Sequence, residues 1–461
     1  MKSYQTLVTA AVALMLAGCM SLAPEHQRPT APVAADWPTA GASAAAGTTA
    51  ATALPWQSFY GNDARLRELI TLALQNNRDL RVALLNVEQA RALARVADAS
   101  RLPTVNAGFS SSRLPGANNT VTNNYQAGLQ ITAYELDLFG RVKNQSEAAT
   151  ARYLASAEGS RAAQIALVAA VASSYLALQA DEELLSLSQL TSTTRADSLR
   201  LTRLKFDAGA ASALDFSSAE SAAAAALANL AQAQRQRAQD QNALVLLVGQ
   251  SLPAGLPVGQ LLAAQGLADV PAGVPSEVLA ARPDVLQAEQ QLIAASANIG
   301  AARAAFFPNI SLTTSLGTAS SQLSDLFSNT AWSFASQVLL PIFDAGRNEA
   351  NLASAKAAQG IAVAQYEKAV QTAFREVADA LAGSATFSDQ LRAQAAQARA
   401  ESERLRLVEL RYANGASNSL ELLDAQRSAF AAQQVLVQVR LAQLLNSVQL
   451  YKALGGGLAR G

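Results

Sequence analysis

Two parts of the chain alternate apolar and polar residues with a period of two. In the first part, Val105, Ala107 and Phe109 share one side of a run, and the apolar residues from Tyr125 to Ala133 repeat the pattern after a polar loop. Each run has about ten residues, which is the length that a tilted β-strand needs to cross a bilayer. The pattern therefore predicts a membrane strand pair at about 103–139, with apolar residues facing lipid and polar residues facing a lumen.

The second part repeats this design. Residues Ile310 to Leu316 alternate in the same way, and a run from Trp332 to Phe343 follows a loop, so a second strand pair is predicted at about 308–343. Aromatic residues are only 5% of the chain, yet several gather at the ends of these runs, as an interfacial belt requires. Two half-buried hairpins on a soluble core remain an alternative, because barrel signals are weak per strand. The predicted belt consists of Phe139, Phe306, Phe307 and Phe343.

The segment from Arg347 to Arg411 has no proline and is rich in strong helix formers. Gly415 suits a left-handed helix stop, and Asn418 followed by Glu421 is a capping-box start. This segment therefore predicts a helical hairpin with one very long arm. At roughly 100 Å, that arm is too long to fold back into a compact domain.

The same hairpin occurs earlier in the chain, where Gly209 takes the place of Gly415 and Ser212 takes the place of Asn418. Other landmarks keep the same spacing, so the chain is a tandem duplication of one unit. Each repeat is expected to hold short helices, a strand pair and a helical hairpin. The predicted first repeat is 62–265, with a long helix at about 140–206 and a return helix at about 212–248; the second is 266–461, with helices at about 276–305, 346–412 and 418–454.

The composition excludes several classes of function. Charged residues are 15% of the chain and the formal net charge is zero, so there is no electrostatic case for nucleic acid. With one Cys and one His, a disulfide framework and a Cys/His zinc site are not expected. An enzyme is excluded on the same inventory, because there is no phosphate-binding glycine loop and no Gly-x-Ser-x-Gly elbow.

The N-terminus predicts export. Residues 1–18 have a short basic start and an apolar core, and Leu16 to Cys19 match the end of a bacterial lipoprotein signal. Cys19 is then expected to carry a diacylglycerol and an N-acyl chain, although an ordinary secretory signal is the alternative. Residues 19–61 are rich in Pro, Ala and Thr and are expected to form an extended tether, in which His26 is inert.

The membrane strands imply association between chains. Four strands are too few to close a barrel, and lipid does not tolerate an open sheet edge. Several copies are therefore expected to form one closed sheet, with their long helices forming a palisade around a lumen. A coiled-coil scaffold or adaptor would explain the helices but not the alternating runs.

The uncharged stretch Ala162 to Ala180 is long enough for a transmembrane helix. Alanine dominates it and polar residues interrupt it, so we interpret it as a closely packed helix, with a transmembrane helix as the alternative.

The chain resembles TolC-type outer-membrane efflux channels, in the OprM/NodT-like lipoprotein branch. The resemblance covers essentially the whole mature chain, and its motifs are specific only in combination. They are Cys19 with its preceding residues, Arg282 to Glu289, Ala305 to Ile310, Arg411 to Gly415, Leu422 to Arg427 and Leu450 to Gly457.

The resemblance implies a homotrimer with a twelve-stranded β-barrel in the outer membrane of a Gram-negative bacterium and a twelve-helix α-barrel in the periplasm. It also implies a periplasmic adaptor protein and an inner-membrane pump, with the lipoprotein signal favouring a resistance-nodulation-division (RND) type. The expected function is export of drugs or other small toxic compounds through a gated conduit. A type I protein-secretion channel is the alternative, and no cofactor is expected.

The resemblance also implies a periplasmic gate at the helix tips, beside the turns at Gly209 and Gly415. An arginine found in part of the family is replaced by Ser417, so the latch is expected to differ here. A ring of acids would attract cations. Capping and packing compete with gating as the role of several of these residues. The expected gate residues are Asp215, Tyr412, Ser417, Glu421 and Asp424.

Overall fold

The computed structural model describes residues 21–38, 54–61, 63–115, 121–270 and 279–457. Within these ranges the chain is mainly helical and contains one small sheet. The helices are α1 (Trp56–Phe59), α2 (Ala64–Asn76), α3 (Arg78–Ala99), α4 (Arg141–Asp207), α5 (Ala213–Val248), α6 (Pro283–Ala304), α7 (Arg347–Ala413) and α8 (Ser419–Ala453). The strands are β1 (Val105–Pro115), β2 (Val121–Leu136), β3 (Asn309–Ser320) and β4 (Thr330–Leu339).

The element order shows the duplication directly. A helix, two strands, a long helix and a return helix occur as α3-β1-β2-α4-α5 and again as α6-β3-β4-α7-α8. The two long helices have 67 residues each, and the return helices have 36 and 35. Helix α6 begins at Pro283, a residue that suits the first helical position. The expected earlier start of this helix, at about 276, lies partly outside the described residues.

The four strands form one antiparallel sheet in the order β1-β2-β3-β4. Its register joins the predicted apolar positions into rows across the sheet. One row contains Ala107, Leu129, Leu316 and Trp332 as successive partners. The alternation in both predicted strand pairs therefore marks one common apolar face, as expected of strands with a period of two.

A β-bulge changes this face near the end of β2. The register shifts between Ile131 and Tyr134, and Ala133 has a positive φ of 53°. The extra residue moves Tyr134 and Leu136 into register with the apolar positions of β3. The expectation that Ala133 continues the apolar face was wrong, because simple alternation does not account for a bulge. The last strand also ends earlier than expected, at Leu339, so Phe343 lies beyond it.

The opposite face of the sheet carries a row of glycines at its centre. Gly108 pairs with Gly128, and Gly128 pairs with Gly317. A Cβ atom on Gly128 would lie 2.4 Å from the carbonyl oxygen of Leu316, and one on Gly317 would lie 2.1 Å from that of Ala127. Only glycine permits this close approach, and such positions allow a sheet to curve.

The described residues divide into two units by their contacts. Of the described residues, the strand unit contains those within 21–31, 84–159 and 286–369, and the helical unit contains those within 32–83, 160–285 and 370–457. Both long helices contribute residues to both units.

The main hydrophobic core lies in the helical unit, and α1 is part of it. Phe59 stacks on Tyr451 at 4.0 Å, and Tyr451 donates a 2.6 Å hydrogen bond to the carbonyl of Leu54. Tyr60 is 1% exposed. The expectation of an extended tether up to residue 61 was therefore wrong at its end, where aromatic side chains bury enough apolar surface to order a short helix.

The earlier part of the predicted tether also makes specific contacts. In the strand unit, Arg28 binds Glu289 through two hydrogen bonds of 2.7 and 2.6 Å, and His26 lies 3.6 Å from the same carboxylate. In the helical unit, Trp37 stacks on Phe374 at 4.9 Å. His26 therefore lies in a docked segment, contrary to the expectation of a loose one.

The stretch Ala162 to Ala180 belongs to the core of the helical unit. Within the described residues, α4 is the one helix that is long and apolar enough to cross a membrane. However, Val171, Ala172, Tyr175 and Leu176 of this stretch are fully buried by protein and pack in the main core. Burial by neighbouring helices explains the lack of charge without lipid.

Arg282, which opens one of the recognised motifs, is a structural residue. It is buried and donates hydrogen bonds to Asp284, to Glu376 of α7 at 2.8 Å, and to the carbonyl of Ala453 at the end of α8 at 2.7 Å. This guanidinium therefore ties three helices together and satisfies an orphan carbonyl of α8.

Candidate functional site at the helix tips

The first helix tip joins α4 to α5 through a glycine turn. Gly209 has a φ of 69°, and the amide of Ala210 bonds to the carbonyl of Lys205 at 2.7 Å, which closes the end of α4. Ser212 then caps α5: its hydroxyl accepts from the Asp215 amide at 3.1 Å, and the Asp215 carboxylate accepts from the Ser212 amide at 3.2 Å. Both halves of a capping box are present, so Asp215 stabilises the start of α5.

The second helix tip uses the same turn between α7 and α8. Gly415 has a φ of 73°, the amide of Ala416 bonds to the carbonyl of Arg411 at 2.8 Å, and Asn418 accepts from the Glu421 amide at 2.8 Å. The Glu421 carboxylate does not return to the cap. It accepts instead from Arg411 at 3.0 Å and from Ser417 at 2.6 Å. The capping-box expectation for Glu421 is therefore only half right.

The two tips are joined by two side-chain contacts. The Ser419 hydroxyl at the start of α8 donates to the Asp215 carboxylate. The ammonium of Lys205 lies 3.3 Å from the Tyr412 hydroxyl and 4.9 Å from the centre of its ring, a cation–π geometry. Hydrogen bonds from Ser212 and then from Ser419 hold the pKa of Asp215 below its usual range. Asp215 is therefore a carboxylate at neutral pH and links both hairpins.

Two arginines donate hydrogen bonds to Asp424, so this carboxylate is paired. Arg404 of α7 donates to it at 2.6 Å and Arg427 donates at 2.7 Å. The hydrogen bond from Arg404 is the main cause of the lowered pKa of Asp424, and the bond from Arg427 lowers it further. The expected ring of acids is consequently compensated within the chain, which weakens its attraction for cations.

Several residues that form contacts at this site were not predicted from the sequence. Arg411, Lys205 and Ser419 belong to the repeated turn motifs, which predict no contact for them, and no motif contains Arg404. One signal was available for Arg411, because a basic residue in the last turn of a helix stands close in sequence to an acid just after the next cap. The structure places the Arg411 guanidinium against the Glu421 carboxylate, within the second hairpin.

The predicted belt aromatics lie near the strand ends of the strand unit. Phe139 stacks on Phe307 at 4.6 Å, whereas Phe343 is 88% exposed. Exposed apolar side chains on and beside the strands that the belt prediction omitted are Phe327, Trp332, Phe334 and Ile342. Cys19 lies outside the described residues. Among the described residues, no group of three or more His, Cys, Asp or Glu side chains could hold a metal ion.

Comparison with known proteins agrees with this architecture. The family model described as "Outer membrane efflux protein" matches twice, at residues 69–250 and 274–456, which correspond to the two repeats. Among similar relatives, the solvent efflux pump outer membrane protein SrpC of Pseudomonas putida is 46% identical, with 96% of each chain covered. The antibiotic efflux pump outer membrane protein ArpC of Pseudomonas putida is 47% identical, covering 98% of this chain and 95% of that one.

A solved structure gives the same result for the fold. The open state of the Neisseria gonorrhoeae MtrE outer membrane channel superimposes with a TM-score of 0.87 at 40% identity, covering 96% of this chain and 99% of that one.

Proposed function

This chain belongs to the outer membrane efflux protein family and is an outer-membrane efflux channel rather than an enzyme, and we propose that it works as a homotrimer in a tripartite pump. The observation that carries the proposal is a four-stranded sheet whose outer strands, β1 and β4, each have a single neighbour. Such edges must be closed by further strands within a membrane. Copies of the same chain supply them, and the family resemblance sets the number at three.

The two repeats differ in burial in a way that supports association. In the strand unit, α6 packs on α4: a Cβ atom at Gly159 would lie 3.0 Å from the Gln287 side chain, and the α6 residues Leu292 and Ile299 are 2% exposed. Helix α3 is the counterpart of α6 in the first repeat. Its apolar residues Leu85, Leu93 and Val96 are 52–65% exposed in the isolated chain.

The surface of α4 that α6 covers corresponds, in the second repeat, to an exposed surface of α7. Ala148, Ala151 and Ala155 of α4 are buried, whereas the corresponding Ser354, Ala357 and Ile361 of α7 are exposed. We therefore expect the exposed face of α3 to pack on the exposed surface of α7 in another copy, in the way that α6 packs on α4 within one chain. Repetition of this contact from copy to copy closes a ring.

Changing the α3 face tests this arrangement. Val96→Asp places a charge in an interface that would bury it, so the oligomer should dissociate or fail to form. Val258→Asp is the matched control, because Val258 is 94% exposed in a loop. Chemical cross-linking and size-exclusion chromatography in detergent measure the outcome. A Val96→Asp protein that stays as oligomeric as the control would refute this interface.

The proposed cargo consists of small toxic compounds such as solvents and antibiotics. The named relatives are solvent and antibiotic efflux components, and for that reason we set the protein-secretion alternative aside. The proposed partners are a periplasmic adaptor protein and an inner-membrane pump of the RND type. Deletion of the channel from a host whose pump is intact should raise its susceptibility to such compounds, and the full-length gene should restore resistance. Unchanged susceptibility would contradict the proposed cargo.

The proposed gate is the set of contacts at the helix tips. Opening requires the second hairpin to leave the first, which breaks the Ser419–Asp215 and Lys205–Tyr412 contacts. The Arg411–Glu421 and Ser417–Glu421 contacts lie within the second hairpin and move with it. Tyr412 and Asp215 are therefore proposed as latch residues, with Glu421 and Asp424 as charges whose partners shape the constriction.

Lipidation of Cys19 is proposed on its position alone. A diacylglycerol and an N-acyl chain would give a second membrane attachment beside the barrel. Mass spectrometry of the mature N-terminus tests this. Cys19→Ser should abolish the added mass, whereas an unmodified Cys19 in the native protein would refute it.

A further inference from the structure

A cleft lies in the helical unit between α4, α5 and α8, and it encloses about 550 Å³. Its walls combine apolar Ala, Leu and Phe side chains with polar ones, and they contain two guanidinium groups, from Arg195 of α4 and Arg427 of α8. The hydroxyl-bearing residues Ser217, Ser218 and Ser221 of α5 line the facing wall. None of these five residues takes part in the two contacts between the hairpins, Ser419–Asp215 and Lys205–Tyr412.

Arg195 is a buried charge without an acidic partner. The residue is 7% exposed, and its guanidinium donates to the Gln426 side chain at 2.6 Å and to the carbonyl of Leu423 at 3.4 Å. Both acceptors are neutral. Among the described residues, no carboxylate lies within ion-pair distance of Arg195. Burying a cation in this way is costly unless an anion compensates it.

The carboxylate that lines the cleft, that of Asp424, is already paired. Asp424 accepts from Arg404 with one oxygen and from Arg427 with the other. Burial lowers the pKa of Arg195, and the positive charge of Arg427 lowers it further, so the two guanidinium groups repel each other across the cleft. An anion placed between them would remove this repulsion and satisfy the remaining N–H donors of Arg195.

We propose that this cleft binds a small oxyanion, such as phosphate, sulfate or a carboxylate, between Arg195 and Arg427. The planar guanidinium groups match such oxygens, and the serine hydroxyls of α5 supply further donors. Because the lining residues come from both hairpins, the bound anion ties α8 to α4 and α5. This site shares Arg427 and Asp424 with the proposed constriction, but it uses neither of the two contacts between the hairpins and does not depend on the proposed cargo.

Phosphate binding by the purified full-length oligomer in detergent tests the site. Inorganic phosphate should raise the unfolding temperature in a saturable manner relative to chloride at equal ionic strength, because a ligand that binds only the folded state stabilises it. Arg195→Gln should remove most of this shift. Arg200→Gln is the matched control, since Arg200 is an exposed arginine of the same helix, and it should keep the shift. Parallel titrations with sulfate and acetate distinguish a tetrahedral oxyanion from a carboxylate.

A second variant tests the site in the event that Arg195→Gln does not fold. Arg427 has a side chain that is 78% exposed, so Arg427→Gln should fold, and it should weaken phosphate binding at least several-fold in calorimetry. The proposal is overturned if phosphate stabilises the native protein no more than chloride does. It is also overturned if the native protein, Arg195→Gln, Arg427→Gln and Arg200→Gln all respond equally, because the effect would then be a general salt effect.

Discussion

The two helix tips have the same turn but use the acid after the cap in different ways. At the first tip, Asp215 closes a capping box with Ser212 and also accepts from Ser419 of the other hairpin. At the second tip, Glu421 leaves its cap and binds Arg411 and Ser417 of its own hairpin. The short aspartate side chain reaches back to the cap amide, whereas the longer glutamate reaches across the turn.

This difference separates two roles that equivalent positions could have shared. The acid of the first tip connects the hairpins, and the acid of the second tip stiffens one hairpin. Asp424 adds a further contact within the second hairpin through Arg404. In the proposed gate, the first tip therefore determines whether the hairpins separate, and the second determines the charge and rigidity of the part that moves.

The largest expected effect is at the second tip. Asp424→Ala combined with Glu421→Ala removes three ion pairs, with Arg404, Arg427 and Arg411, and should raise the ion conductance of the isolated channel several-fold. Planar-bilayer recording measures it. Asp197→Ala is the control, because Asp197 is an exposed acid that pairs with Arg200 on α4. Conductance equal to that of the control would remove these acids from the gate.

A smaller effect should separate the two tips. Ser419→Ala deletes the hydrogen bond between the hairpins, and a partly solvent-accessible bond of this kind is worth about 0.5 kcal/mol, or about twofold in the open population. Ser417→Ala deletes a hydrogen bond within the second hairpin and should change the open population less. Single-channel open probability distinguishes them. A larger change for Ser417→Ala would reverse the assigned roles.

The pH response of folding stability should come from outside the tips. Burial and the neighbouring Asp240 raise the pKa of Asp181 to about 7. Because this value exceeds that of an unfolded aspartate, about 3.9, the stability contributed by protonated Asp181 is lost as pH rises from about 4 to about 7. Asp181→Asn should flatten the unfolding temperature over this range. An unchanged slope would show that Asp181 does not titrate there.

The smallest expected effect is the pH response of the tips themselves. The lowered pKa values of Asp215 and Asp424 keep both carboxylates ionised above the ordinary aspartate range, and their contacts are lost only as pH falls through still lower values. Conductance of the Asp181→Asn channel should therefore stay constant between pH 5 and pH 8. A transition within that window would mean that another group controls the tip contacts.

Local and repeated features of the chain were predictable from the sequence. The glycine turns at Gly209 and Gly415, the cap residues and the long proline-free helices depend on residues close together in the chain. Because the chain is duplicated, each of these features occurs twice. The alternation of apolar and polar residues in one strand pair therefore supported the strand prediction for the other pair. The apolar face of the sheet followed from the period of a strand, apart from the bulge at Ala133.

Choices among distant partners depended on tertiary structure. The sequence does not indicate that Arg411 pairs with Glu421, that Arg404 reaches Asp424, or that Trp56 and Tyr60 join the core. Long charged side chains have several acids within reach, and the geometry of the packed helices selects one of them. The opposite burial of α3 and α6 has the same origin, because nearly equivalent helices acquire different neighbours only when the chain has folded.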